Sequence, residues 1–183
     1  HCVAEALNEY ELTSFAEALS CYPEGSKGNV GIVSLSGGHG AVSADACAQH
    51  GLSLPSPSPE TVEAIKTRLG EQVRDIVSLN NPIDLTGSVT DRDLVTTARH
   101  LSRDDGIDCI LMLLLPYSPG VSADIGAKLA RVYQDEGKPM IAYVPNEDKY
   151  AIIIEGFELN NIPVASSVEG AVMMAKALKR CTP

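Results

Sequence analysis

Cys109 to Leu115 reads CILMLLL, seven apolar residues in succession. A strand with one wet face alternates apolar and polar residues. An unbroken run of this length suits a strand covered on both faces, as in a parallel sheet sandwiched between helices.

The rest of the chain supplies matching elements. Val30 to Leu35 is a second apolar run with β-branched residues, and Leu52–Leu54, Met140–Val144 and Ile162–Ala165 read as further strands. Helices are expected at Leu7–Leu19, Ala41–His50, Pro59–Leu69, Asp91–Leu101, Ser122–Glu136, Tyr150–Leu159 and Val168–Lys179. Ser58 is the expected N-cap of the Pro59 helix, and Gly51 and Gly137 end two others. Gln72 to Ser88 is less regular. Strands alternate with helices, so the expected fold class is α/β: a three-layer, flavodoxin-like, doubly wound parallel sheet. The expected division is a leading helix and linker, 1–27, and a flavodoxin-like domain, 28–183.

In such sheets ligands sit beyond the carboxyl ends of the strands. That edge would carry Ser36–Gly40, Leu115–Gly120, Val144–Lys149 and Ser166–Gly170. The first of these is the richest in chemistry. Ser36-Gly37-Gly38-His39-Gly40 follows the first strand and opens an alanine-rich helix. Free N–H groups and the helix dipole favour an anion at such a terminus. Glycines let a backbone approach a phosphate closely. The expected phosphate-binding residues are Ser36, Gly37, Gly38, His39, Gly40, Ala41 and Val42, with Asp45, Asn81 and Asp84 lining the site.

Composition excludes several alternatives. The net charge of −10 argues against a general affinity for nucleic acid or an anionic membrane. The chain has 183 residues, and its longest apolar run is too short to span a bilayer. Five cysteines without a CxxC pair argue against zinc, and reduced thiols fit a cytoplasmic setting. No metal site and no tightly bound cofactor are expected. The first residue is His1, which suggests a fragment of a longer protein.

The glycine turn is neither GxGxxG nor a Walker A loop, and no GxSxG surrounds Ser34 or Ser36. Flavin is disfavoured because the turn is short and no aromatic residue is placed to stack on a ring. His39 is a candidate phosphoryl carrier or a solvent-facing turn residue. Asp45 is either a hydrogen-bonding partner for the neighbouring loop or a helix-face charge. Asn81-Pro82-Ile83-Asp84 contains two strong turn formers. Glu147, Asp148 and Lys149 fit a solvated charged turn.

The order GGHGAVSADACAQHGLSL, NNPIDLTG, CILMLLLP, KPMIAYVPN and NNIPVASSVEGAVMMAKAL resembles the NDP-forming acyl-CoA synthetases. These are the ADP-forming acetyl-CoA synthetases and relatives of succinyl-CoA synthetase. The matching positions are Gly37, Gly38, Gly40, Ala41, Asp45, Gly51, Leu52, Asn81, Pro82, Asp84 and Gly87, with Ala41-Val42 standing where Gly-Val is usual. The resemblance implies a ligase domain. Its glycine-turn helix N-terminus stabilises the phosphate of a phosphohistidine supplied by another domain. The reaction implied is acyl-CoA + ADP + phosphate = carboxylate + CoA + ATP. It also implies partner domains or subunits that bind CoA, carry the histidine and form an ATP-grasp, with CoA, ATP/ADP and Mg²⁺ used by the full enzyme. The family often has Pro at the position of His39, which weighs against His39 as the phosphorylated group. The alternative is a non-catalytic regulatory or binding module of a synthetase-like multidomain protein. A third is an unrelated flavodoxin-like binding protein.

Overall fold

The computed structural model describes residues 4–145 and 148–180. Its centre is a parallel sheet of five strands: β1 (Val30–Ser34), β2 (Ile83–Asp84), β3 (Cys109–Leu113), β4 (Met140–Tyr143) and β5 (Val164–Ala165). Their order is β2-β1-β3-β4-β5, and every pairing is parallel. This is the flavodoxin-like order, which places a switch point between β1 and β3.

The central run behaves as its composition dictates. Every residue of β3 is buried, in register with β1 from Val30 opposite Cys109 to Ser34 opposite Leu113. Ile110 and Met112 face one helix layer, while Cys109, Leu111 and Leu113 face the other. The first layer holds α3 (Pro59–Lys66), α5 (Asp91–Ser102), α6 (Ile125–Glu136) and α7 (Ala151–Glu158). The second holds α1 (Glu9–Cys21), α2 (Gly37–Gln49) and α8 (Val168–Leu178). A short helix, α4 (Glu71–Arg74), joins the first layer through Val73. Helix α1 packs along α8 and buries Phe15 and Ala18.

The expected signals at helix ends operate. Ser58 Oγ accepts from the Thr61 amide with Pro59 in the first turn, and Gly51 and Gly137 take left-handed φ values of +67° and +74°. Burial makes Cys47 and Cys109 inert thiols, pushed up to about 11 and about 12. Cys2 and Cys181 lie outside the described residues.

Two expectations are corrected. Leu52–Leu54 is no strand: only Ser53 bridges to Asn29, and Pro55 and Pro57, which lack N–H donors, stop the pairing. The edge strand is instead β2, inside the segment read as irregular. Between Ser53 and β2 the Asn81 side chain fills the gap along β1. Its Oδ1 accepts from the Ile32 amide at 3.0 Å, and its Nδ2 donates to the Val30 carbonyl at 2.7 Å. The ladder then resumes with Val33 opposite Ile83.

The second correction concerns the glycines. They do not form a turn before the helix; α2 begins at Gly37 with Ser36 as N-cap, so they make up its first turn. None of Gly37, Gly38 and Gly40 has a positive φ. The β2 loop lies against two of them, Gly37 and Gly40. A Cβ on Gly40 would stand 3.4 Å from Pro82 Cβ, and one on Gly37 3.1 Å from Asp84 Oδ2.

Candidate anion-binding helix terminus

Strand β1 ends at the carboxyl edge of the sheet, beside the switch point, and delivers the chain into α2. Ser34 Oγ receives the Ser36 amide at 3.1 Å and donates to the Ser36 carbonyl at 2.7 Å, which fixes the entry. The Ser36 carbonyl also accepts from the Gly40 amide at 3.0 Å, the first bond of the helix. No side chain caps this terminus. The amides of Gly37, Gly38 and His39 are therefore the open donors, with Gly37 and Gly38 exposed.

This narrows the sequence-derived set. Gly40 has spent its amide on Ser36, and Ala41 and Val42 lie further inside the helical ladder. Val42 offers an exposed apolar side chain instead, 43% accessible. Asp45 lies about 12 Å along the axis from Gly37. It is exposed on the helix face and is not brought to the terminus. Asn81 sits beneath α2, but its amide is engaged by Ile32, Val30 and Pro55. It positions the loop and presents no group to a ligand. Asp84 is brought to the site: its Oδ1 accepts from the Thr86 amide at 2.9 Å, and Oδ2 flanks Gly37.

His39 occupies the third position of the helix. Its ring meets Tyr143 edge-on, with centroids 5.4 Å apart and planes at 87°. Sequence reasoning missed Tyr143; its place at the last position of a buried strand was the available signal. Burial raises the Tyr143 phenol above its usual range, and Tyr117 and Glu169 add to the effect. Tyr117 stands 67% exposed in the loop after β3. That loop is anchored to α5. Asp91 accepts from the Ser122 amide at 3.0 Å, the Asp91 amide donates to the Gly120 carbonyl at 3.1 Å, and Lys128 Nζ donates to Asp91 Oδ2 at 2.7 Å. Desolvation of the Asp91 carboxyl is outweighed by these hydrogen bonds and by the Lys128 charge, so it lies below the usual range. Glu147 falls outside the described residues.

The terminus is an open surface. Two grooves, of about 650 Å³ and about 450 Å³, lie at the opposite edge of the sheet, near His50 and Leu178 and near Ser26 and Lys138. Among the described residues no group of His, Cys, Asp and Glu is placed to hold a metal ion. Among them, too, no helix is long and apolar enough to cross a membrane.

A β2-β1-β3-β4-β5 parallel sheet with an uncapped helix terminus at its switch point defines a class: flavodoxin-like domains with open backbone donors at the carboxyl edge of the sheet. Comparison with known proteins narrows it. No family model matches the chain. It is 33% identical over 114 residues to the ADP-forming acetate–CoA ligase I of Archaeoglobus fulgidus, a match covering 62% of this chain and 16% of that ligase. It is 28% identical over 178 residues to the alpha subunit of the ADP-forming acetate–CoA ligase II of Pyrococcus furiosus, covering 92% of this chain and 36% of the subunit. A crystal structure of a Pyrococcus horikoshii OT3 protein superposes with a TM-score of 0.84 at 24% identity, covering 95% of this chain and 40% of that one. The dinucleotide-forming acetyl-coenzyme A synthetase 1 of Ca. Korarchaeum cryptofilum, in complex with phosphate and ADP, superposes at 0.81 with 20% identity, covering 94% and 37%. These similarities to ADP-forming acetate–CoA ligases support a place for the chain among the NDP-forming acyl-CoA synthetases. The chain spans well under half the length of these relatives.

Proposed function

We propose that residues 28–183 form the ligase domain of an ADP-forming acyl-CoA synthetase, with 1–27 leading into it. In this reading the α2 terminus stabilises the phosphoryl group of a phosphohistidine carried by another domain. The reaction served is acyl-CoA + ADP + phosphate = carboxylate + CoA + ATP. The observation that carries the reading is the trio of uncapped amides at Gly37, Gly38 and His39, at the carboxyl end of β1. Fixed N–H dipoles aimed at a charged group cost no reorganisation when the charge arrives. Against water alone a shallow nest of this kind binds weakly, because the ion keeps its hydration. A second protein surface closing over the terminus excludes water and strengthens each dipole contact. Its openness suits that use. CoA, the nucleotide and Mg²⁺ belong to the other domains of the full enzyme.

The test compares the 183-residue chain with the full-length enzyme, each given radiolabelled ATP or acetyl phosphate. The isolated chain stays unlabelled, while the full-length protein acquires label on a histidine outside this segment. Stable label on His39 would make that residue the carrier and overturn the assignment. A full-length protein that neither labels nor turns over would favour the regulatory-module alternative.

A further inference from the structure

The two helix layers meet solvent differently. The outer side of α5 and α6 carries ion pairs, Arg99 to Asp135 at 3.1 Å and Arg103 to Glu136 at 2.6 Å among them, as suits a wet surface. The outer side of α1 is apolar. This helix already buries Ser14, Phe15 and Ala18 against its own domain. Leu12, Ala16 and Leu19 follow the i, i+4, i+7 spacing and share a second face. All three are exposed, Leu12 at 60% and Leu19 at 38%. A helix on the surface of one domain needs one apolar stripe; a second stripe calls for a second partner. Beside it Leu7, Phe15, Leu19, Pro23 and Leu178 line the groove of about 650 Å³.

Charge constrains the occupant. Lys176, Lys179 and Arg180 rim the groove against Glu5 and Glu24, a local excess of positive charge on a chain whose net charge is −10. Lys176 Nζ lies over the Phe15 ring, 5.9 Å from its centroid, so a cation borders the apolar floor. Such a rim matches a partner that carries carboxylates around its apolar residues. A second copy of this chain would bring the same basic rim, and the two chains repel through their net charges. A partner on the same polypeptide is favoured by tethering, which raises its effective concentration and lets a modest interface hold. The curated relatives carry most of their length outside the matched segment.

On the reading of this chain as one domain of a larger synthetase, we propose that the outer face of α1 and its groove dock a second domain of the same polypeptide, one that presents apolar side chains flanked by carboxylates. The contact is separate from the α2 terminus, which stands at the opposite edge of the sheet. It fixes how the domain is held, not what its terminus binds.

Hydroxyl-radical footprinting read by mass spectrometry, on the 183-residue chain and on the full-length enzyme, tests it. Leu7, Leu12 and Leu19 should label readily in the isolated chain and lose most of that label in the full-length protein. Equal labelling in the two overturns the proposal. The double variant Leu12→Asp, Leu19→Asp should leave the melting of the isolated chain within a few degrees of the parent, because both side chains are exposed. In the full-length enzyme it should restore the label at Leu7. Lys176→Glu should restore it in part, and undiminished protection there would overturn the charge match that selects the occupant. Sedimentation of the isolated chain should find a monomer; a dimer dispersed by the double variant would assign the face to a second copy and overturn the proposal. The footprint needs no turnover. Protection in an enzyme that never phosphorylates a histidine keeps this contact and sinks the proposed reaction, and exposed leucines in an active enzyme do the reverse.

Discussion

Asp84 Oδ2 lies 3.1 Å from the point that a Cβ on Gly37 would occupy, so a carboxylate flanks the open amides of α2. A negative charge at a helix N-terminus is itself favourable, and this one partly satisfies the dipole in the absence of ligand. It also opposes a second anion. Two charges about 4 Å apart interact by about 1 kcal/mol in water, and more as water is excluded. Asp84→Asn keeps the acceptor for the Thr86 amide and removes the charge. Phosphate affinity should rise by about threefold to tenfold, an effect that shrinks with added salt. Titration of both proteins at two ionic strengths, followed at the Gly37 and Gly38 amides, checks this. An unchanged or weaker affinity would show that Asp84 does not face the bound ion.

Asn81 replaces a missing stretch of strand beside β1. Its three hydrogen bonds, to Ile32, Val30 and Pro55, span 2.7–3.0 Å. Asn81→Ala leaves the Ile32 amide and the Val30 carbonyl without partners inside the sheet. The expected loss is about 2–4 kcal/mol of stability, from lost bonds plus uncompensated burial. Urea unfolding with a lowered midpoint and an unaltered slope measures it. Asn81→Asp keeps the acceptor for Ile32 but loses both donors, so it should destabilise as well.

Acid should loosen the first helix layer. Asp93 is desolvated, which opposes ionisation. Hydrogen bonds from the Gly70 amide, the Thr90 amide and the Thr90 hydroxyl outweigh this, and its pKa falls below the ordinary value of 3.8. At Asp104 desolvation is likewise outweighed, by Ser58, Thr61 and Gly106. A carboxyl held below its unfolded value stabilises the fold fully above that value, and the contribution drains away as pH falls through the folded value. The expected profile is flat from these two groups at neutral pH and declines below about pH 4. Asp93→Asn should cost about 1–3 kcal/mol at pH 7 and converge on the parent in acid. Thermal melts across pH 2–7 decide it; a variant that tracks the parent at a constant offset would show that the Asp93 charge plays no part.

The parts legible in the sequence were those in which one short window carries the whole cause. Burial on both faces leaves an unbroken apolar run, so β1 and β3 stood out. The Ser58-Pro59 start and the Gly51 and Gly137 stops follow from local φ and hydrogen bonding. Ile83–Asp84 was missed because two residues carry no period; its pairing is set by β1 and by the Asn81 amide that leads into it. The glycine segment drew attention as an anion signal. Its geometry came out differently because the need for small residues arises from Pro82 and Asp84, far along the chain. The contact of His39 with Tyr143 likewise exists only once the fold brings the end of β4 to the start of α2.

Gly38 separates the backbone donor from everything else at the terminus. A Cβ there would meet nothing closer than Ser36 Oγ at 3.6 Å, an ordinary contact, so Gly38→Ala should fold and keep its amide. Gly38→Pro removes the amide. Proline is tolerated in the first turn of a helix, where the N–H has no helical partner, and Gly37 before it is the residue least restricted by a following proline. Both variants should therefore melt within a few degrees of the parent, while only the proline variant loses the oxyanion donor. In the isolated chain the expected effect is weaker phosphate binding. In the proposed full-length enzyme a partner surface would exclude water, and on that reading loss of one preorganised donor should slow histidine phosphorylation by about 100-fold, the scale found for single oxyanion-site donors. Rapid-quench labelling of parent, Gly38→Ala and Gly38→Pro enzymes measures this directly. Full-rate labelling of a well-folded Gly38→Pro enzyme would remove the α2 terminus from the reaction.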